Sequence, residues 1–479
     1  MIPVCKEVVV FVTYRVNRSL RNPPTCNGRD LLTNCVVGSQ IFSTPTPTLA
    51  MTFYQRDRQG RLRDEQDLQR QTSGRIVNDG QNDGQLQVRA YRTLAELTTI
   101  SQSWEQVLAD YPLATSFSTP AWLCSWWRHF GAPQQLLAAG FFADSKLVAV
   151  APFSVTPVRA GRVISLRQLR LMGDGSKDSD NLDLPVKPGF EEQFAASLLR
   201  FLDSERASWD FAELNTMPPL SPGALAFRRA LAREKWLVVA KQRPASAISL
   251  PDTWPEYVKR LSSEDQKNLV RYARRLEKRY TVRIYRCDDE NQLSSCLNAL
   301  FTHHQARWNA SGESGSFGVP ERRSFYFDLS RPLLAEKRLE LWVMELDGTI
   351  AAVQFAFRYG RNVFQLQEGN DPSHASDRVG FILRARVLQQ LIADGIQTYD
   401  FLGGSLGYKA LWGAQAGTYT DLQFARPWTA GKAYLQILQN AEQSKNWLRR
   451  TLPQSAWRVL HKVNLQVRSR RAGGQKHPL

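Results

Sequence analysis

Two stretches in different halves of the chain carry one pattern. Residues 141–150 run Phe141, Phe142, Ala143, Asp144, Ser145, Lys146, Leu147, Val148, Ala149, Val150. Residues 344–353 run Met344, Glu345, Leu346, Asp347, Gly348, Thr349, Ile350, Ala351, Ala352, Val353. Each reads as strand, tight turn, strand, and Asp347-Gly348 is the strongest short hairpin signal in the chain. Any two hairpins share this outline. Here each also follows a helix-rich opening, and the shared order of flanking elements points to a duplication. The chain is therefore expected to be two similar units in tandem.

The surrounding pattern agrees. In residues 86–244 strands and helices alternate, with helices over 121–130, 191–202 and 223–233. Thr119 and Pro120 supply an N-cap and a first-turn proline for the first of these. A hairpin spans 136–155, and further strands are expected at 166–171, 182–185, 209–215 and 236–240. Residues 245–428 repeat the logic. A charged helix over 262–280 precedes a strand at 282–286 and a helix over 291–308. The second hairpin covers 340–359, followed by a strand at 362–368, a helix over 380–393 and strands at 398–402 and 419–425. At 479 residues, two to four domains are the prior, at about 150 residues each.

Charge separates the ends from the body. The net charge is +17. From residue 431 onward ten Lys/Arg stand against one acid, Glu442, so the high isoelectric point mostly describes a tail, 429–479. Tyr434, Ile437, Leu438, Ala441 and Leu448 lie there at helical spacing, and Pro453 breaks the run. Two readings stand: a helix packed on the body with a solvated basic fringe, or a basic amphipathic helix on an anionic membrane surface. Nucleic acid is disfavoured, because no nucleic-acid motif accompanies the charge. Residues 1–85 lack any sustained period and are too polar to offset ordering entropy, so disorder is expected. Met51 is an alternative start to Met1. No apolar run reaches the roughly 18 residues of a membrane span. The apolar run at 8–12 is too short for a secretory leader, which points to an unexported protein. Six scattered Cys without a Cys-x-x-Cys motif make neither a disulfide framework nor a zinc site, and no metal is expected.

Several motifs carry a resemblance. They are His304-Gln305-Ala306-Arg307-Trp308, the Asp347-Gly348 hairpin, and Tyr399-Asp400-Phe401-Leu402-Gly403-Gly404 followed by Gly407-Tyr408-Lys409-Ala410-Leu411-Trp412-Gly413. In the first half, Phe117-Ser118-Thr119-Pro120-Ala121-Trp122-Leu123-Cys124-Ser125-Trp126-Trp127 joins them. In this order they resemble the CelD-like acyltransferases of the GNAT superfamily, bacterial proteins often linked to exopolysaccharide or cellulose synthesis. The resemblance covers about residues 86–428. It implies an α/β (α+β) fold of two tandem GNAT-like domains, 86–244 and 245–428, each a mixed, mostly antiparallel twisted sheet flanked by helices. It also implies a cytoplasmic enzyme that transfers an acyl group from acyl-CoA to an amine or hydroxyl. The acceptor it suggests is a saccharide or amino sugar. The tail adds the option of peripheral contact at the inner membrane face.

The residues themselves nominate a site. A donor diphosphate needs a helix N-terminus with free N–H groups, and Arg378-Val379-Gly380-Phe381 opens the helix over 380–393. It holds one glycine where the usual signature is denser, and a simple helix start is the plainer reading. In the first half Lys187-Pro188-Gly189-Phe190 lacks a cradle, so that half is expected not to bind donor. A base must take the nucleophile's proton. The candidates are His304, with an ordinary pKa near 6.5, and Asp400, in an apolar strand where burial raises a carboxyl pKa. Each has a structural alternative, as a packed histidine and as a carboxylate holding loop amides. Tyr408 and Lys409 follow a glycine-rich loop. The resemblance implies for Tyr408 the protonation of a departing thiolate, as by a tyrosine in many GNAT enzymes. Lys409 is a candidate to bind an acceptor phosphate or a sugar nucleotide, or simply to face solvent. Gln354, Gln365 and Glu368 interrupt apolar strands and are expected to line the acceptor cleft, with Arg307 and Trp308 flanking a sugar. The basic helix 267–279 reads as a solvated face or as a contact for an anionic acceptor. Two other functions remain: a Fem-like aminoacyl-tRNA-dependent transferase, and a non-catalytic scaffold of a polysaccharide synthase.

Overall fold

Thr119 accepts the Trp122 N–H and Pro120 fills the first helical position, and Ser221 with Pro222 repeats the device a hundred residues on. Asp347 (φ 49°) and Gly348 (φ 82°) are both left-handed, as a two-residue type I′ hairpin requires, and so are Asp144 (46°) and Ser145 (63°). The two hairpins of the repeat therefore share one turn geometry.

The computed structural model describes residues 85–451 except 133, 161–163, 311 and 313–314. It adds three short strands, Val8–Val9, Tyr54–Arg56 and Leu62–Asp64, paired antiparallel with one another. The rest of 1–84, where disorder is expected, and the tail after Thr451 lie outside the described residues.

The first half runs β1 (Gln87–Tyr91), α1 (Leu94–Thr98), α2 (Ser101–Asp110), α3 (Pro120–Phe130), β2 (Gln135–Leu136), β3 (Ala138–Ala143), β4 (Lys146–Ala151), β5 (Phe153–Ala160), β6 (Ile164–Leu171), α4 (Glu191–Ser204), β7 (Phe211–Met217), α5 (Pro222–Arg233) and β8 (Leu237–Ser249). The second runs α6 (Trp254–Lys259), α7 (Ser263–Glu277), β9 (Val282–Arg286), α8 (Glu290–Ala310), α9 (Pro320–Ala335), β10 (Leu339–Leu346), β11 (Thr349–Tyr359), β12 (Asn362–Asn370), α10 (Val379–Ala393), β13 (Thr398–Gly403), β14 (Gln415–Ala425) and α11 (Ala430–Thr451).

One eleven-stranded sheet has the order β9-β10-β11-β12-β13-β8-β14-β7-β6-β5-β2, and a three-stranded sheet is β1-β3-β4. This is the mixed, mostly antiparallel α/β architecture expected. The parallel pairs are β6–β7 and β12–β13, one in each half, each joined by a crossover helix, α4 or α10. Both are short. Residues 168–169 pair with 211–212, and residues 362–364 pair with 398–400. Beyond these the strands part and leave a wedge. One bulge in each half has a counterpart in the other. Leu214 and Met217 face Leu422 and Thr420, while Asp400 and Gly403 face Ala247 and Ala245. The extra residue is left-handed in both, at Thr216 (φ 55°) and Leu402 (φ 63°). A repeated bulge with a repeated strained residue is a structural signature of duplication.

Several features differ from the sequence pattern, the unexpected helix α2 (Ser101–Asp110) among them. The expected boundary at 244/245 falls inside β8, which runs unbroken to Ser249. The strand expected at 182–185 is irregular chain with a lone bridge, Ala149 to Val186. Helix α9 was not foreseen: it opens on Pro320, a good start, but Pro332 sits inside it and disguises the pattern.

The halves are packed into each other. Phe117 and Trp122 of the first half lie 5.1 and 4.9 Å, centroid to centroid, from Phe357 of β11. Phe364 and Phe325 close this cluster. Phe357→Ala should cost about 3–5 kcal/mol. We expect urea unfolding followed by near- and far-ultraviolet circular dichroism to show one shifted transition. Two separate transitions would mean that the halves fold independently.

Candidate functional site

The wedge between β12 and β13 collects charge inside an apolar frame. Glu368 on β12 is bonded to Arg384 of α10, and Arg307 of α8 lies 3.6 Å from its other oxygen. Arg384 is 4% exposed. Its guanidinium lies 5.4, 5.4 and 5.6 Å from the ring centroids of Phe401, Tyr408 and Trp412. Such a cation is held by ring faces as well as by its carboxylate. Arg307 in turn covers the Trp308 ring at 5.5 Å. Gln354 of β11 is the register partner of Glu368, and its buried Nε2 has no hydrogen-bond partner among the described residues. Next to this, β12 carries its own bulge: Gln367 faces Phe355 while buried Gln365 faces Ala356, so Leu366 is extra. Bulges free backbone groups from the ladder and re-aim side chains.

Tyr408 stands at the mouth of the wedge. It lies on the 3₁₀ segment Gly407–Trp412 and is 50% exposed. Partial burial, and then the Glu368 charge, push its pKa above the ordinary tyrosine value, so the hydroxyl stays protonated at neutral pH. Glu368, Gln354, Arg307, Trp308 and Tyr408, all nominated from sequence, are thus brought together. Arg384 completes the group and was missed. Its signal is a lone arginine on the apolar face of the helix over 380–393.

A second cluster holds the β13 bulge. Asp400 accepts the Leu402 N–H at 2.7 Å, and Asp180, from the first half, accepts the Gly403 N–H at 2.8 Å. The Lys409 ammonium lies 3.3 Å from the carbonyl oxygens of Phe401 and Gly403 and 3.5 Å from that of Leu402. Burial pushes the Asp400 carboxyl up to about 6, and the neighbouring Asp180 charge adds to it. Burial likewise pushes Asp180 up to about 6. Lys409 is 7% exposed, and burial pushes its pKa down. Its ammonium is spent on those carbonyls, in place of the phosphate contact or solvated position expected. Asp180 was missed as well. It sits in a run with Asp174, Asp178 and Asp183 between a strand and a helix, which reads locally as a polar loop.

His304 is placed differently from its expected role as base. It is 4% exposed, its Nε2 accepts the Trp308 indole N–H at 3.1 Å, and its ring packs edge-on to Phe317 at 4.9 Å. Burial pushes its pKa down to about 4. The imidazole is neutral at pH 7, and the lone pair that would take a proton is already used. His303 faces elsewhere and bonds the Ile350 carbonyl at 2.9 Å.

At the start of α10, Arg378 is left-handed (φ 59°) and exposed, 6.0 Å from the Tyr272 ring. The Val379 side chain is buried, and Phe381 packs on Trp412 at 4.6 Å. The Phe381 N–H already donates to the Arg378 carbonyl at 3.0 Å, so the N–H groups this helix start can offer are those of Val379 and Gly380. A Cβ on Gly380 would lie 2.6 Å from the Asn370 amide, so a close contact explains this glycine. The corresponding helix of the first half, α4, opens on Glu191 and Glu192, which puts negative charge where an anion would sit.

Residues 263–410 match the family model described as an acetyltransferase (GNAT) domain. The match takes in Arg307, Glu368, Arg384, Asp400, Tyr408 and Lys409, leaves out Asp180 and Trp412, and gives the second half acyl transfer as its class of reaction. The chain is also similar to several solved structures. One is the crystal structure of FemX: TM-score 0.49, 10% identity, 73% of this chain and 99% of that one covered. Another is the C-terminal domain of a putative lysylphosphatidylglycerol synthetase from Agrobacterium fabrum: TM-score 0.42, 12% identity, 72% and 96% covered. A third is a tandem GNAT protein from the clavulanic acid biosynthesis pathway: TM-score 0.40, 11% identity, 71% and 98% covered. No curated protein matches the chain.

The Asp400 environment sets a pH dependence. Its folded pKa of about 6 lies above the ordinary 3.8, so its contribution to stability is full at low pH and is lost as pH rises through 6. Asp400→Asn keeps an oxygen for the Leu402 amide and removes the charge. Urea titrations at pH 5 and pH 8 should show the variant gaining about 1–3 kcal/mol over wild type at pH 8 relative to pH 5. An unchanged difference between the two pH values would mean that Asp400 is well solvated.

Proposed function

We propose that the second half transfers an acyl group from an acyl-CoA-type thioester to an amine or hydroxyl of a saccharide acceptor used in surface-polysaccharide assembly. The observation that carries this reading is the wedge itself. Inside the segment matched to an acetyltransferase domain, two parallel strands part beside a protonated, solvent-reaching Tyr408.

The donor's diphosphate would rest on the first N–H groups of α10, with Arg378 supplying charge. The acceptor nucleophile attacks the thioester carbonyl, its proton passes to the Asp400 carboxylate, and the carbon–sulfur bond breaks. The departing thiolate takes the Tyr408 proton. Above pH 6 Asp400 is ionised and Tyr408 is not, so both groups stand in the required state at neutral pH. Trp308 offers an aromatic face, and Arg307, Glu368 and Gln354 offer donors and acceptors beside it, a combination suited to a sugar ring. The first half, with Glu191 and Glu192 at the matching helix start, would not hold a donor. One observation favours an aminoacyl-tRNA donor instead: Lys267, Arg271, Arg274, Arg275 and Lys278 line one open face of α7.

Calorimetric titration of the full chain with acetyl-CoA and a longer acyl-CoA tests the donor. Saturable binding is expected, weakened about 10- to 100-fold by Arg378→Glu, the worth of one charge-assisted contact. Absence of binding by the folded chain would overturn the acyl-CoA reading, and binding of aminoacyl-tRNA in its place would support the second one. With an amino sugar as acceptor, Tyr408→Phe should lower kcat for thiol release about 100-fold at unchanged KM. A Tyr408→Phe variant with wild-type turnover would remove Tyr408 from the reaction.

A further inference from the structure

Helix α11 (Ala430–Thr451) is only half attached to the molecule. Its start is packed tightly. A Cβ on Gly431 would lie 2.0 Å from the Asp210 carbonyl oxygen, Tyr434 packs on Phe211 at 5.1 Å, and Leu435 is fully buried. From Asn440 to Trp447 every residue is exposed. Glu442 ties that stretch to the body through an ion pair with Lys241. A helical extension of this kind gains little from the body it leaves, since most helix stability in a protein comes from packing one face.

The projecting part is amphipathic in its own right. At 100° per residue, Ala433, Ile437, Asn440, Ala441, Ser444 and Trp447 fall within an arc of about 120°, and among these Ile437 and Trp447 are the large apolar side chains. Ile437 is 65% and Trp447 63% exposed. Gly431 and Leu435, which hold the helix to the body, lie on the opposite side. Lys432 and Lys445 flank this arc. At the helix root Trp428 is 96% exposed, with the Lys432 ammonium 5.6 Å from its ring. Among the described residues no helix is long and apolar enough to cross a membrane.

Charge decides what can cover this face. From residue 431 onward ten Lys/Arg stand against Glu442, and Glu442 is already paired with Lys241. A second copy of the chain would bring the same positive charge to the contact. We propose that the projecting half of α11 lies on a bilayer surface carrying anionic headgroups, with Ile437 and Trp447 at the acyl boundary and the flanking lysines among the headgroups. This surface is independent of the acyl-transfer reading, because it uses none of the wedge residues.

Vesicle flotation of the full chain tests it. The chain should float with vesicles of phosphatidylcholine and phosphatidylglycerol in equal parts and not with phosphatidylcholine alone. High salt should release it. The double variant Ile437→Ser, Trp447→Ser should bind at least about tenfold more weakly, the worth of losing two buried apolar side chains. Both side chains are exposed in the free protein, so the circular dichroism should be unchanged. The charge reversals Lys432→Glu and Lys445→Glu together should weaken binding similarly. Equal flotation by wild type and the apolar double variant, or no flotation of wild type, would overturn the proposal. So would a dimer in sedimentation that the same double variant dissociates, since a second copy would then cover the face.

Discussion

Everything in this molecule hangs on the pairing of β8 with β14. Eleven residues of one strand face eleven of the other, from Leu237 opposite Ala425 to Ala247 opposite Gln415. β8 ends the first half and β14 ends the second, so the last strand of the second unit is laid between two strands of the first. Each ladder bond is worth only about 1 kcal/mol net. Together they make one sheet of what the repeat describes as two units. The ladder also fixes the geometry of the wedge. β8 holds β13 along 247–249, while the parallel partnership of β13 with β12 stops at Asp400. One wall of the wedge is therefore anchored to the first half and the other is free to part from it.

The first half also reaches into the second through its acidic loop. Asp178 takes the Arg322 guanidinium at 3.0 Å and the Tyr326 hydroxyl at 3.2 Å, and Asp180 takes the Gly403 amide. Asn181 donates to the Tyr419 hydroxyl at 2.9 Å. Buried charges of this sort are costly unless every lone pair finds a partner. Here the partners come from elements far apart in sequence, so the loop is ordered only when both halves are in place. The left-handed Leu402 at the bulge is held by the same partners. Carboxylates bond the amides of Leu402 and Gly403, and Lys409 bonds the carbonyls around them. Strain of 1–3 kcal/mol at such a residue persists when its surroundings over-determine it.

Much of the fold was legible. The hairpins, the Thr119-Pro120 helix start and the positions of most strands along the chain rest on local rules: left-handed turn pairs, N-caps and apolar alternation. Helix α9 was not, because Pro332 interrupts its period while tertiary packing of Phe325, Tyr326 and Leu329 sustains the helix across it. The site was legible by residue type more than by role. A glutamate and two glutamines in apolar strands had to be either paired or functional, and Glu368 and Gln354 do meet at the wedge. His304 shows the limit. Its spacing on α8 allowed an outward face, and only the approach of Trp308 and Phe317 decided that it points inward and stays neutral.

The sequence by itself determined that there are two α/β units in tandem, which residues turn, cap and alternate, and that the excess charge lies in the C-terminal tail. These follow from interactions between neighbours in the chain. Only the tertiary structure decided that β14 crosses into the first unit, that Asp180 from one half holds the bulge of the other, and that Arg384 is the buried cation bonded to Glu368. Such choices are made by desolvation. A charge or a strand edge taken out of water must be paired with whatever the fold brings within about 3 Å, and the partner is set by distances that no spacing along the chain encodes.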